Sequence, residues 1–283
     1  MKPSTTDWKN KRLPWLKTYK NLIYTVAAAA VFLAFWKLAS VVVAKEILVP
    51  SPETTICSLA ELVRQGYFWE AVSRTLQRTL AGFGLALAAA LVTGTAAGFI
   101  KPLNIFFRPF NVIIKAMPTM SVILLAIIWL NSERAPLLVG FLVIFPILYG
   151  NVIEGIENID EKLLEMAKMF RIRRRRVLTG LYLPSIGSYL FAASSTALGL
   201  NLKVMISAEV LSQPKFAIGT ELQMEKAFLN TANVFAWTIA VIILVALFDF
   251  ILKILRSLTD KKRSKAADKS LLTTGCSNNT INT

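Results

Sequence analysis

The stretch ENIDEKLLEMAKMFRIRRRRVLTGLYLPS, residues 157–185, is a long charged insertion between two strongly apolar segments. Seven of the chain's 32 basic residues lie in it. Unpaired charges and bare backbone groups are costly in hydrocarbon, so a segment this long and this polar cannot cross a bilayer. It must lie on one face of a membrane protein.

The flanks supply the membrane. The 283-residue chain is 55% hydrophobic with mean hydropathy +0.55, yet its net charge is +15. The apolar residues come in blocks. A helix crossing a hydrocarbon core of roughly 30 Å needs about 20 apolar residues at about 1.5 Å each. Blocks of about that length occupy residues 22–43, 79–100, 111–130, 136–153, 186–207 and 234–255. The expected fold class is therefore all-α, a polytopic membrane protein with six transmembrane helices in one domain over residues 22–255. Residues 1–21 are expected as a cytoplasmic segment, 154–185 as a cytoplasmic loop carrying a short helix, and the Lys-, Ser-, Thr- and Asn-rich residues 256–283 as a disordered tail. The first block is too long for a signal-peptide core and is expected to stay as an uncleaved helix.

Charge sets the orientation. Twenty-two basic residues fall on the side of the termini and the charged loop, seven on the opposite side, and Lys37, Lys203 and Lys253 inside spans. The positive-inside rule then puts both termini and the loop in the cytoplasm. Because the cations are interleaved with spans and form no continuous soluble face, the sequence pI near 10.0 does not imply nucleic-acid binding. Histidine is absent, which removes the commonest general base and the commonest zinc ligand. The two cysteines, Cys57 and Cys276, fall on opposite faces in this topology and are not expected to pair.

Between the spans, Val49-Pro50-Ser51-Pro52 breaks the chain, and an amphipathic surface helix is expected over 54–64. A second short helix from Phe68, bearing Arg74 and Arg78, would lead into the second span. Gly94 and Gly98 in that span form a small-xxx-small pair suited to close helix contact. Met117-Pro118-Thr119 is expected to bend the third span, either as pore lining or as a packed kink. Residues 209–233 read as an outer segment broken by Pro214 and Gly219. Lys37 is expected to snorkel to the interface, and Asp249 and Lys253, four apart with the acid first, to pair along one helix.

No phosphate-binding loop, His/Cys cluster or serine-nucleophile motif stands out. The chain is expected to perform no chemistry and to need no cofactor or metal, so any driving energy comes from a partner or an ion gradient. Within the loop, Asp160 is placed to cap a helix, with Glu161 favourable at its positive end. Leu163, Leu164, Ala167 and Phe170 recur at spacings of three and four, giving an apolar stripe that fits a groove in another protein or packs beneath the chain's own spans.

Glu165-Met166-Ala167, three residues, Arg171, nine residues and then Leu181-Tyr182-Leu183-Pro184 resembles the EAA-x3-G-x9-I-x-LP loop of permease subunits of binding-protein-dependent ABC importers. Leu48-Val49-Pro50-Ser51-Pro52, Thr79-Leu80-Ala81-Gly82-Phe83, Met117-Pro118, Phe145-Pro146 and Ala208-Glu209-Val210-Leu211 are similar to the nitrate/sulfonate/taurine branch of that family. The resemblance implies a non-catalytic subunit of a prokaryotic plasma (inner) membrane importer. It implies an ATP-binding subunit, an extracytoplasmic solute-binding protein and a second permease copy as partners. It also implies that Leu163, Leu164, Glu165, Ala167 and Phe170 form the docking face, with Leu183 and Pro184 setting the turn into the fifth span. Met166 stands where the motif has its first alanine, and Arg171 where it has glycine. A residue with a side chain adopts the left-handed cap that glycine supplies at a cost of about 1 kcal/mol, which leaves the turn at Arg171 open to a different shape.

The translocation-path candidates are Pro118, Asn201, Lys203 and Glu209. Lys203 is the leading one, because an intramembrane cation is expensive and suits an anionic solute, although snorkelling or an ion pair with Glu209 would also explain it. The run Arg173–Arg176 reads first as topogenic charge, then as a contact to lipid or a partner. The competing function, an ion-coupled transporter or channel without an ATPase, predicts central carboxylates and repeated halves. The sequence has few of the former and no repeat.

Overall fold

The computed structural model describes residues 14–275, and all regular structure in them is helical. Small residues set the centre of the fold. Along α3 (Gly66–Phe99), Ala71, Thr75, Thr79, Gly82, Ala86, Ala90, Gly94 and Ala97 recur three or four apart, and all are buried. Much of this groove receives α6 (Ala135–Glu157): a Cβ on Gly94 would stand 2.9 Å from the Val152 side chain, and one on Gly98 would overlap Ile156. The Gly94–Gly98 pair is therefore a packing device. Across α6, a Cβ on Gly155 would lie 2.8 Å from Ile186 Cα, so α9 (Leu183–Ser212) also approaches closely. Lipid competes equally for apolar contact, so membrane helices gain by such close packing and not by apolarity alone. Ile144, Leu148, Val152, Ile186 and Leu190 fill the core of this three-helix centre.

The other elements surround it. Helix α1 (Pro14–Val43) is almost wholly exposed along its described side chains. It is tied at one end, where Trp36 Nε1 donates to Pro50 O at 3.1 Å and the Trp36 ring stacks on Phe235. Lys37 does more than snorkel: it pairs with Glu53 at 2.8 Å on α2 (Pro52–Arg64). Ser51 caps α2 by accepting from Thr54 N, and Pro52 opens it. Trp237 of α11 (Thr231–Gly275) is fully buried and stacks on Phe68, with Leu62 and Ile218 in the same cluster.

Several expectations change. The short helix from Phe68 is not separate, because α3 runs unbroken for 34 residues and nothing between Phe68 and Thr79 breaks a helix. The third span is two helices, α4 (Lys101–Ala116) and α5 (Thr119–Trp129), that meet at 101°. Pro118 disfavours the helical conformation at Met117, which takes φ −66°, ψ 128°. Among the described residues five helices are long and apolar enough to cross a membrane, and counting the bent pair as one span brings this to six. Helix α9 extends to Ser212, where Gln213 at φ 49° ends it, so Glu209 lies within a long helix and not in an outer segment. That outer stretch folds into α10 (Ile218–Ala227).

The tail expected to be disordered from Arg256 is helical as far as Gly275. Lys, Arg, Ala and Leu dominate it, and these propagate a helix even in a charged segment. Residues 1–13, and the end of the tail with Cys276, lie outside the described residues; Cys57 is free and exposed. Asp249 and Lys253 do not pair, since among the described residues no ion pair includes either. Asp249 instead turns toward α9, where a Cβ on Gly199 would stand 3.6 Å from its Oδ1.

Candidate functional site

The loop between α6 and α9 is built by two caps. Asp160 accepts from Lys162 N at 2.9 Å and opens α7 (Glu161–Met169), with Glu161 in the first turn. At the other end Arg171 sits at φ 48°, in the left-handed region. Ile172 N donates to Ala167 O at 2.9 Å and Arg171 N to Lys168 O at 3.1 Å, the double bond pattern of a Schellman cap. The position where the motif has glycine thus keeps the glycine conformation, held here by an arginine.

The apolar stripe divides between two faces. Ala167 is buried and Leu164 half-buried against the chain itself, whereas Leu163, Glu165, Met166, Met169 and Phe170 are exposed, the last two at 83% and 75%. Ala167 therefore supports α7 from behind and is not part of an outward face. Leu183 and Pro184 make no turn. The chain turns earlier, at Ile172–Arg173, and α8 (Arg174–Val177) runs through a π-helical turn (Leu178–Tyr182) into α9. Proline lacks an N–H and crowds the carbonyl four residues back; the widened π turn just before Pro184 accommodates it. Ser185 Oγ donates to Gly155 O at 2.6 Å, clamping the start of α9 to the end of α6. The loop thus ends on two helices already in close backbone approach.

The four path candidates do not converge. Asn201 is fully buried and donates through Nδ2 to Thr79 O at 2.8 Å, with its Oδ1 close above Gly140. It joins helices. Glu209 is also fully buried. Pro118 is exposed at the α4–α5 break. Lys203 is exposed on the opposite side of α9 from Asn201, on a stripe with Ala192, Thr196, Leu200 and Ser207. Among the described residues it pairs with no carboxylate, Glu209 included.

Glu209 is the centre of a polar cluster that sequence reasoning missed. It accepts from Thr75 Oγ1 at 2.9 Å, from Gly219 N at 3.3 Å and from Arg78 Nη1 at 3.4 Å. Arg78 Nη2 donates to Glu133 at 2.6 Å and to Lys215 O at 2.9 Å, and Glu133 accepts from Lys215 N at 2.7 Å. The cluster locks α3, the α5–α6 turn, α9 and the α9–α10 connection together. Partial burial would raise the Glu133 carboxyl, but the Lys215 N–H and Arg78 outweigh it and hold the group below its ordinary value. The available signal was that Arg78, Glu133 and Glu209 all sit near span ends on the same predicted side.

The chain has relatives among known proteins. The profile of the family described as binding-protein-dependent transport system inner membrane component matches residues 77–265. The chain belongs to that family. A permease protein of Bacillus subtilis (strain 168), SsuC, named for aliphatic sulfonate transport, is 24% identical over 248 residues, 87% of each chain. The nitrate import permease protein NrtB of Leptolyngbya laminosa is 23% identical over 215 residues, 69% of this chain and 73% of that one. The crystal structure of an amino acid ABC transporter with histidines shares the fold, with TM-score 0.55 at 14% identity over 69% of this chain and 95% of that one. The protein is thus a multi-pass inner-membrane permease component of an ABC-type importer, of the nitrate/sulfonate/taurine type. It is non-catalytic, and that architecture implies ATP-binding and solute-binding partners.

Proposed function

We propose that this permease works as a pair of identical subunits, conducting a small anion between them and receiving its drive through α7. The observation that carries the reading is Lys203. It lies inside a membrane-spanning helix, exposed and without a carboxylate partner among the described residues. A lone ammonium facing lipid is costly, so such a residue faces a protein interface or an aqueous path. The small and polar neighbours Ala192, Thr196 and Ser207 support a second copy of α9 approaching here across a watery seam. A lysine there attracts an anion, and the names of the sulfonate and nitrate relatives agree with that charge.

The drive enters at the other end of α9. Leu163, Met166, Met169 and Phe170 present an apolar face too large to be left in water, with Glu165 beside them. This face suits a cleft in the ATP-binding subunit, with Ala167 and Leu164 as its backing and the Arg171 cap with the turn at Ile172–Arg173 fixing its angle to α9. Charge asymmetry supports placing the loop and both termini in the cytoplasm.

The test is ATP-driven uptake by proteoliposomes holding the permease, its ATP-binding subunit and a saturating solute-binding protein. Lys203→Gln is expected to cut uptake of an aliphatic sulfonate at least tenfold while leaving co-purification of the ATP-binding subunit intact. Lys203→Arg is expected to retain much of it. Undiminished uptake in Lys203→Gln removes the anion path from this face of α9.

A further inference from the structure

A cavity of about 630 Å³ opens between α7, α8 and the end of α3. Lys168, Arg171 and Arg174 line it, no carboxylate does, and among the described residues none of the three cations has an ion-pair partner. Its remaining wall is apolar and aromatic. Phe99 is the last residue of the spanning helix α3 and Tyr182 stands at the start of α9, with their rings 4.9 Å apart, and Leu178 lies beside them. Tyrosine at the end of a span marks the headgroup level of a bilayer, and Tyr182 is so placed. The cavity thus offers three cations at headgroup height and an apolar slope leading toward the hydrocarbon.

Arg171 adds a separate observation. It occupies a left-handed cap that glycine would occupy at lower cost. Backbone strain of this kind persists where the side chain has a use, and the Arg171 side chain lines the cavity.

We infer that this cavity binds the phosphate of an anionic phospholipid of the inner leaflet, held by Lys168, Arg171 and Arg174, with an acyl chain along Leu178, Tyr182 and Phe99. The lipid is then wedged between α7 and the root of α9, and it stiffens the connection through which α7 moves α9. The inference rests on the loop facing the cytoplasm. Labelling of a cysteine at Met169 in inverted vesicles, with Cys57 and Cys276 replaced by serine, decides that point independently of lipid binding.

The test titrates the full chain in mild detergent with phosphatidylglycerol and reads bound lipid by mass spectrometry of the intact protein. Each cation near a membrane phosphate is worth about fivefold in binding, so Lys168→Gln/Arg171→Gln/Arg174→Gln is expected to weaken binding on the order of 100-fold. Arg173→Gln/Arg175→Gln/Arg176→Gln removes equal charge outside the cavity and is expected to change it less than about threefold. Equal loss in both triples, or loss in neither, overturns the site. Displacement of phosphatidylglycerol by inorganic phosphate at equal concentration overturns the lipid as occupant. So does full lipid retention in the first triple accompanied by loss of the ATP-binding subunit. Arg171→Gly guards against misfolding, because it relieves the cap: it is expected to melt at a higher temperature yet bind phosphatidylglycerol more weakly. A gain in stability with unchanged lipid binding removes Arg171 from the site.

Discussion

Replacing Arg78 by methionine keeps most of its aliphatic stem and deletes its guanidinium. In the native protein that guanidinium, on a side chain 13% exposed, lies between a fully buried Glu209 and a half-exposed Glu133. Glu133 can turn to water when its partner is removed. Glu209 cannot: it keeps only the Thr75 hydroxyl and the Gly219 N–H. Stranding a buried charge typically costs about 3–5 kcal/mol. The 3.4 Å contact to Glu209 is the longer of the two ion pairs, so we expect about 3 kcal/mol for Arg78→Met. Adding Glu209→Gln to that variant removes the stranded charge, and its amide still accepts from Thr75. The double variant is expected to recover all but about 1 kcal/mol. Equilibrium unfolding in mixed micelles measures all three variants. A single variant as stable as the native protein, or a double variant no better than the single, refutes the view that Arg78 serves chiefly to neutralise Glu209.

Three further outcomes follow from the same geometry. Arg171→Gly is expected to stabilise the end of α7 by about 1 kcal/mol and Arg171→Ala not at all, read as slower hydrogen exchange of the Ile172 amide. Gly155→Ala places a Cβ 2.8 Å from Ile186 Cα, a backbone atom that cannot step aside; a loss of about 1–3 kcal/mol is expected, with ATP hydrolysis less tightly linked to uptake. Glu133, whose carboxyl is held below its ordinary 4.5, contributes stability that is complete above that pH and is lost as the pH falls through the lower native value. Thermal melts of native protein minus Glu133→Gln are expected to show a difference that is flat from pH 7 to about 5 and shrinks below about 4.5.

Most of the architecture was legible because hydrocarbon imposes a length and an apolarity that a sequence displays directly. The N-cap of α7 was legible too, since Asp160 acts on backbone within a few residues of itself; the Arg171 cap was not, because a side chain at the motif's glycine position left the shape of that turn open. What escaped was set by contacts across the chain. The Thr75–Glu209 and Arg78–Glu209 bonds join residues 134 and 131 positions apart, and no local pattern announces them. The stripe on α7 was visible, but only packing decides that Ala167 faces inward while Met169 and Phe170 face out. Helical spacing likewise placed Asn201 and Lys203 on one span; the structure assigns the first to helix contact and the second to the open face. At Pro118 the sequence announced a bend, and its 101° angle came from α5 packing Val122, Ile123 and Ala126 against Val139, Val204 and Ala208.

The central claim is that α7 is where an ATP-binding subunit drives this permease. Disulfide trapping tests it most directly: a cysteine replaces Met169, Cys57 and Cys276 become serine, and the ATP-binding subunit carries a cysteine at the rim of its docking cleft. The account predicts a crosslinked pair that forms in the assembled importer, halts ATP-driven uptake, and releases it again on reduction. A cysteine at Met169 that crosslinks to no ATP-binding subunit, or a crosslinked complex that transports at the native rate, would contradict it.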